Sequence, residues 1–289
     1  MKSLNESTIA IVGLGLMGGS LALALRAQNA CQKIIGVTRN PRARADALAR
    51  GTVDAASADL SLVAEADVVV LATPVRAILD QLPPVGQFAR EGAIVMDLGS
   101  TKRAIVQAMA ALPPHIEPIG AHPMCGKETG GFDSADAGLY RNAVFVLTLL
   151  ERTSPQTLAL AESLAQAIGA RPIVLDAERH DRIVAAISHL PFALAASLMT
   201  LADEMARADD LIYTLAASGF RDASRLAASD TTMILDILMT NRENVASMLR
   251  ACSSHLSELA DLIGTADEPA LRARLTSAAA NRRHLKFDI

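Results

Sequence analysis

One short run brings an imidazole, a thiol, an ammonium and a carboxylate together: Ala121-His122-Pro123-Met124-Cys125-Gly126-Lys127-Glu128. An imidazole titrates near neutrality, so His122 is a candidate base for the proton of a substrate hydroxyl. If a hydride leaves the same carbon it needs an acceptor, and Gly13-Leu14-Gly15-Leu16-Met17-Gly18 offers a place for one. That loop follows an apolar strand pattern and opens a helical one. Gly13 permits the tight turn, Gly15 lets the backbone approach a pyrophosphate, and Gly18 allows close helix–strand packing. The helix N-terminus at Leu16 and Met17 then faces the negative charge. Cys125 has no second Cys/His pair at ligand spacing, so no metal site is expected. His115, His255 and His284 read as structural.

The second strand pattern ends Val37-Thr38-Arg39-Asn40. A carboxylate there would hold ribose hydroxyls and repel a 2′-phosphate. Arg39 can instead pair with that phosphate, and Thr38 can donate to it. NADP is therefore expected over NAD, with NAD use still open. Thr73 and Pro74, after the third long strand pattern, are expected on the nicotinamide side, as is Asp97-Leu98-Gly99-Ser100-Thr101-Lys102.

These residues need a frame. Continuous apolar runs at 8–13, 33–38, 67–73, 93–99, 117–122, 144–150 and 172–176 alternate with helical patterns, which predicts a parallel sheet covered on both faces. From about 176 no strand pattern appears. A helix is expected from near Glu178 to about Arg207, then helical patterns near 209–217, 223–228, 231–263 and 267–283. The expected fold is an α/β Rossmann-type, doubly wound, mostly parallel sheet over 1–176, followed by an all-α substrate and dimerisation domain over 177–289. His180 and His189 fall on the long helix at the junction.

Composition narrows the function classes. The net charge of −4 leaves no basic face for nucleic acid, and 3% aromatics leave no stacking platform. Three widely spaced cysteines suit a reducing compartment. The N-terminus runs straight into a strand pattern without a signal peptide. A cytoplasmic protein is expected. Residues 183–202 are apolar enough to span a membrane, but they contain His189 and Pro191 and are the only such stretch. A buried helix is expected instead. It is too apolar for its own domain alone to cover, so two chains are expected to pair as a homodimer through their helical halves.

The segments GLGLMGGSLA, DLGSTK, GAHPMCGKETGGFDSA, LYRNAVFVLT, ERHDRIVAAISHLP and ASGFRDASR, in this order, resemble the prephenate/arogenate dehydrogenases of tyrosine biosynthesis, over about residues 8 to 265. The resemblance implies oxidation of a ring carbinol with loss of carbon dioxide as the ring becomes aromatic, acting on arogenate, prephenate or both. It makes His122 the catalytic base and Ser100 a hydrogen-bonding partner near the carbinol. It makes Arg225 the grip on the ring carboxylate, Glu128 an acidic residue at the substrate entrance, and His180 a support to the site. His189 lies in the SHLP segment, and Arg221 stands where some members have lysine; both are expected on the substrate side. Phe192 occupies the place where some prephenate-preferring members carry histidine, which is compatible with arogenate. Tyrosine inhibition, where present, is expected at the active site itself. The competing reading is a β-hydroxyacid dehydrogenase, whose chemistry relies on a lysine in the helical half; no lysine lies between Lys127 and Lys286. A non-catalytic NADP sensor would lack the base or the arginine, and both are present.

Overall fold

The computed structural model describes residues 2–285. Eight strands form one sheet: β1 (Thr8–Val12), β2 (Lys33–Val37), β3 (Ala55–Ser57), β4 (Val68–Leu71), β5 (Ile94–Asp97), β6 (Glu117–Pro123), β7 (Val144–Thr148) and β8 (Arg171–Val174), in the order β3-β2-β1-β4-β5-β6-β7-β8. Between them run α1 (Leu16–Ala27), α2 (Pro41–Ala49), α3 (Val75–Phe88), α4 (Arg103–Ala110) and α5 (Pro155–Ala167). Successive strand side chains point to opposite faces. Ile9 and Ile11 pack into one apolar layer with Leu21, Leu25 and Leu164, whereas Ala10 and Val12 pack into the other with Ile78, Leu82 and Ile105. Both faces being covered explains why the strands read as unbroken apolar runs.

All pairings are parallel except β6 with β7, where Ala121 faces Leu147 and His122 faces Val146. The connection from β6 to β7 holds only the short 3-10 turn Phe132–Ser134. A parallel return requires a long crossover, usually a helix, so the chain comes back antiparallel. The three-residue edge strand β3 is too short to leave a sequence pattern; it forms because Ala55–Ser57 can pair with Ile35–Val37.

Beyond β8 the described chain is helical: α6 (Ala177–Val184), α7 (Leu190–Ala206), α8 (Leu211–Thr214), α9 (Ser218–Ser224), α10 (Thr231–Thr240), α11 (Arg242–Gly264) and α12 (Glu268–His284). The expected long helix is present as α6 and α7 joined through a π turn at Ala185–His189. Pro191 explains the turn: it has no N–H for the carbonyl one turn back and its ring crowds that carbonyl. Its own chain leaves much of this helix uncovered: Ile187 is 62% exposed and Leu201 56%. It is the one described helix long and apolar enough to cross a membrane.

Three helical expectations change. The pattern at 209–217 shortens to α8, and that at 223–228 becomes the end of α9 and a 3-10 turn at Arg225–Ala228. The pattern at 231–263 breaks at Asn241, whose backbone leaves the helical region. The strands end near 176, but packing divides the described chain between Asn241 and Arg242. In the second unit α11 and α12 are tied together by Arg274, which donates to Glu258 at 2.8 Å and contacts His255.

Candidate active site

At the carboxyl end of β1 the chain turns through Gly13 at φ +102°. A Cβ there would lie 2.7 Å from the Ala72 carbonyl oxygen and 2.8 Å from the Thr73 methyl, so the turn is pressed against the end of β4. A Cβ on Gly18 would overlap the Gly13 carbonyl. Gly15 is different: a Cβ there meets nothing within 4 Å, and as the N-cap of α1 it supplies no side-chain acceptor. The first amides of α1, at Leu16 and Met17, are thus left without a side-chain cap beneath an open surface. These observations fit a bound dinucleotide whose pyrophosphate lies against Gly15.

Thr73 lines this loop and donates its hydroxyl proton to Gln81 at 2.8 Å, while Pro74 caps the start of α3. At the end of β2, Arg39 is exposed and makes no hydrogen bond or ion pair among the described residues. Its neighbours are engaged: Arg44 donates to the Thr38 carbonyl at 2.7 Å, and Arg42 pairs with Asp133 at 3.1 Å.

His122 stands half-buried in the last part of β6, at the same sheet edge as the glycine loop. Its Nδ1 lies 2.8 Å from His180 Nε2, and His180 Nδ1 lies 2.8 Å from Asp181 Oδ1. His180 and Asp181 are both buried, at the middle of α6. The Asp181 carboxylate also accepts the backbone N–H groups of Lys102 at 2.7 Å and Arg103 at 3.0 Å, so it caps α4. Burial raises the affinity of Asp181 for a proton, but the hydrogen bonds from His180, Lys102 and Arg103 outweigh it and hold the carboxyl below its ordinary value. Burial pushes His122 well below the ordinary histidine value, helped by the neighbouring His180, Lys102 and His189. A neutral His122 is what a proton acceptor requires.

Two further groups fix this corner. Lys102 is fully buried and bridges the Asp97 carboxylate and the Ala121 carbonyl, the latter at 2.6 Å. Asp97 in turn accepts from the amide of Ala121 at 2.9 Å, so the residue before His122 is held from both sides. Burial lowers the Lys102 pKa while Asp97 opposes the fall. Asn241 is buried and donates to the Asp181 carbonyl at 2.7 Å and to His189 Nδ1 at 3.2 Å. Burial drives His189 down to about 4, so its ring is neutral, and a neutral ring accepting at Nδ1 carries its proton on Nε2.

The remaining expected residues divide. Ser100 is half-buried at the carboxyl end of β5, with no side-chain hydrogen bond among the described residues. Arg225 and Glu128 pair with each other, both exposed, so the guanidinium meets a carboxylate of its own chain. Arg221 is exposed and pairs with its neighbour Asp222 at 3.1 Å, and this structure does not bring it to the histidines. Asp181 and Asn241 carry much of the site's geometry without having been assigned roles from the sequence, and Asp97 and Lys102, expected only as part of a segment on the nicotinamide side, prove to be buried against each other. The signal available was adjacency: Asp97 and Lys102 flank Ser100, and Asp181 follows His180.

A glycine cradle at the carboxyl edge of a parallel sheet, with a neutral imidazole at the same edge, defines a nicotinamide-dinucleotide dehydrogenase. Residues 21–174 match the family model of the prephenate dehydrogenase nucleotide-binding domain, and residues 176–277 that of the prephenate dehydrogenase dimerization domain. The chain belongs to the prephenate dehydrogenase family. It is 34% identical over 266 residues to the prephenate dehydrogenase of Lactococcus lactis, covering 91% of this chain and 73% of that protein. The crystal structure of Aquifex aeolicus prephenate dehydrogenase with hydroxyphenyl propionate and NAD+ superposes with a TM-score of 0.92 at 30% identity, covering 99% of this chain and 100% of the other. That of Synechocystis arogenate dehydrogenase gives 0.82 at 34% identity, covering 96% and 99%.

Proposed function

We propose that this chain oxidatively decarboxylates arogenate, prephenate or both, and that the observation carrying this reading is His122: a neutral imidazole at the sheet edge shared with the glycine cradle and backed by His180 and Asp181. The nicotinamide, when bound, supplies the hydride acceptor. His122 Nε2 takes the carbinol proton as the C–H electron pair leaves the same carbon. The ring carbonyl so formed draws the electrons of the C–carboxylate bond on the opposite ring carbon through the conjugated double bonds to its oxygen, carbon dioxide departs, and the ring becomes aromatic. The phenolate oxygen then recovers the proton from His122, so acid and base are one residue used twice.

Ser100 is assigned to a hydrogen bond at the carbinol oxygen. Arg225 is assigned to the ring carboxylate, exchanging Glu128 for it as partner at the substrate entrance; only interactions stronger in the transition state accelerate the step, so a loose, exposed grip suits a carboxylate about to leave. His189, with its Nε2–H as donor, and Arg221 are assigned to the substrate side, and His180 to support of the base. Gly13, Gly15, Leu16, Met17, Gly18, Thr73 and Pro74 are assigned to the dinucleotide. Preference for NADP rests on Arg39, which is exposed and uncommitted beside Thr38, with no carboxylate at the end of β2.

The division into a dinucleotide-binding part, 1–176, and a substrate and dimerisation part, 177–289, belongs to the same reading. The apolar face of α6 and α7 would be covered by the second chain of a homodimer. Tyrosine, as a product-like molecule, would inhibit by entering the active site. A cytoplasmic location is supported by three free cysteines, Cys31, Cys125 and Cys252.

The test is an initial-rate grid of arogenate or prephenate against NADP or NAD, followed by absorbance of the reduced cofactor. Turnover of arogenate with NADP supports the reading in full. Turnover confined to prephenate with NAD keeps the reaction and removes the assignments of Arg39 and Phe192. No turnover by folded, cofactor-binding protein removes the reaction.

A further inference from the structure

We infer that Asp181 is a positioning residue that fixes the proton pattern of two histidines in series and so decides which nitrogen of His122 faces the substrate. This deepens the proposed function and rests on it for its catalytic meaning, but not for its geometry.

Donors and acceptors along the chain can be counted. The Asp181 carboxylate accepts three hydrogens: the backbone N–H of Lys102 and the His180 Nδ1 proton on Oδ1, and the backbone N–H of Arg103 on Oδ2. Two of those donors are peptide groups that cannot reverse their role. A protonated Asp181 would set an O–H among them, so the group is a carboxylate, and hydrogen bonding favours that charged form. A carboxylate facing His180 Nδ1 requires a proton on that nitrogen, because two acceptors at 2.8 Å repel. In neutral His180 the Nε2 is then a bare lone pair. It lies 2.8 Å from His122 Nδ1, which must therefore carry the proton in this hydrogen bond. A neutral His122 with its proton on Nδ1 has one lone pair left, on Nε2.

The opposite arrangement is open to an isolated pair of histidines. His180 would hold its proton on Nε2 and donate it to His122 Nδ1, and His122 would present Nε2–H, a donor that cannot take a hydroxyl proton. Among the groups around His122, Lys102 lies with its ammonium on Asp97 and the Ala121 carbonyl, and His189 receives its hydrogen bond from Asn241. Neither hydrogen-bonds His122, so among the described residues the hydrogen bond that fixes its tautomer is the one to His180. Asp181 touches neither the base nor the site of reaction, and it acts through that chain. When Nε2 takes the proton, the imidazolium retains its Nδ1–H bond to His180, whose far nitrogen faces the carboxylate, so the new positive charge forms at one end of a prearranged dipole chain.

The inference is tested by nitrogen-15 NMR of the full chain with labelled histidine rings, without substrate, near pH 7.5. Signals are assigned with His122→Asn and His180→Asn. The expected result is His122 and His180 both protonated on Nδ1 and bare on Nε2. The variant Asp181→Asn has one acceptor oxygen in place of two; with that oxygen kept on the Arg103 amide, its NH2 group replaces Oδ1, gives up the Lys102 amide and donates to His180 Nδ1. Both rings should then switch to Nε2–H, and turnover should fall by about 10²- to 10⁴-fold with cofactor affinity unchanged. A wild-type His122 carrying its proton on Nε2 overturns the inference outright, and this spectrum decides the matter even if Asp181→Asn fails to fold. An Asp181→Asn protein that keeps the wild-type tautomers also overturns it. The predicted tautomers in a protein that turns over neither ring substrate would leave the positioning role standing and remove the proposed reaction.

Discussion

Beside α2, which its own Asn40 caps, three helix N-termini at the carboxyl edge of the sheet, those of α1, α3 and α4, are finished in two ways. At α1 the N-terminus is bare: Gly15 offers no side chain, and space lies open above it. At α3 and α4 the same kind of end is closed by a carboxylate from the helical part of the chain. Asp236 accepts the Arg76 amide at 3.0 Å, and Asp181 accepts those of Lys102 and Arg103. A helix N-terminus carries roughly half a positive charge and unpaired N–H groups, so each must find an anion. Two of the three are satisfied by the protein and one is left for a ligand. The closed ends dock α6 and α10 and thereby place His180, Asn241 and the proposed base; the open end is the one assigned to the dinucleotide. One physical demand, met internally or left unmet, separates the part assigned to proton transfer from the part assigned to the cofactor.

The sharpest break between the two is His122→Asn. Turnover should fall by about 10²- to 10⁴-fold while the cofactor dissociation constant, read by fluorescence titration, stays as in the wild type. Loss of both together would mean the two regions are not separable. The same base predicts a pH profile. Its proton affinity is depressed and its working form is unprotonated, so kcat/KM should hold level as pH drops through 6.5 and decline only further into acid. An acid limb centred at or above 6.5 would contradict the burial of this imidazole.

On the open side, Arg39→Ala should lower kcat/KM for NADP by about tenfold to a hundredfold and leave NAD untouched, as expected for a lost charge-assisted contact. Equal effects on both cofactors would remove the 2′-phosphate assignment. Gly15→Ala should weaken cofactor binding by about tenfold without altering the melting temperature, because a Cβ there meets ligand rather than protein. Gly18→Ala supplies the contrast: its Cβ meets the Gly13 carbonyl, so the folded state itself should lose about 1–3 kcal/mol in thermal unfolding. The smallest effect is expected at a closed end. Asp236→Ala removes the cap of α3 and should cost about 1 kcal/mol, a few degrees of melting temperature, with the cofactor constant unmoved.

The strands were readable because each is buried on both faces, and the glycine loop because its turn demands particular residues. The break at Asn241 was not readable. The helical periodicity runs through it without a proline or glycine, and what interrupts the helix is a side chain bonded to the Asp181 carbonyl and His189, about 60 and 50 positions earlier in the chain. Asp181 was missed for a related reason: an Asp inside an Ala-Glu-Arg-His-Asp-Arg run reads as a solvated helix charge until α4 is seen against it. The position of His122 at a strand's carboxyl end, where ligands collect in such sheets, was readable because it needs no long-range contact. The apolar face of α6 and α7 that its own chain leaves exposed was legible in the composition, which says that a helix must be covered but not which surface of a second chain would cover it.

The π turn at Ala185–His189 has a geometric consequence. His180 and His189 are nine positions apart, and at 3.6 residues per turn that spacing would set them about 180° apart, on opposite sides of a regular helix. One residue absorbed by a π turn subtracts about 100° and leaves them about 80° apart, near enough for Asn241 to reach both His189 and the residue beside His180. The turn works as a phase shifter: it rotates everything after it by one residue without lengthening the rod. Closing the turn to a regular α-helix with all residues kept would send the later imidazole to the opposite face, whereas removing a single residue between Ala185 and Ser188 as it closes would leave the two histidines eight positions, again about 80°, apart, so the angular phase of this helix is as much a determinant of the site as the identity of its side chains.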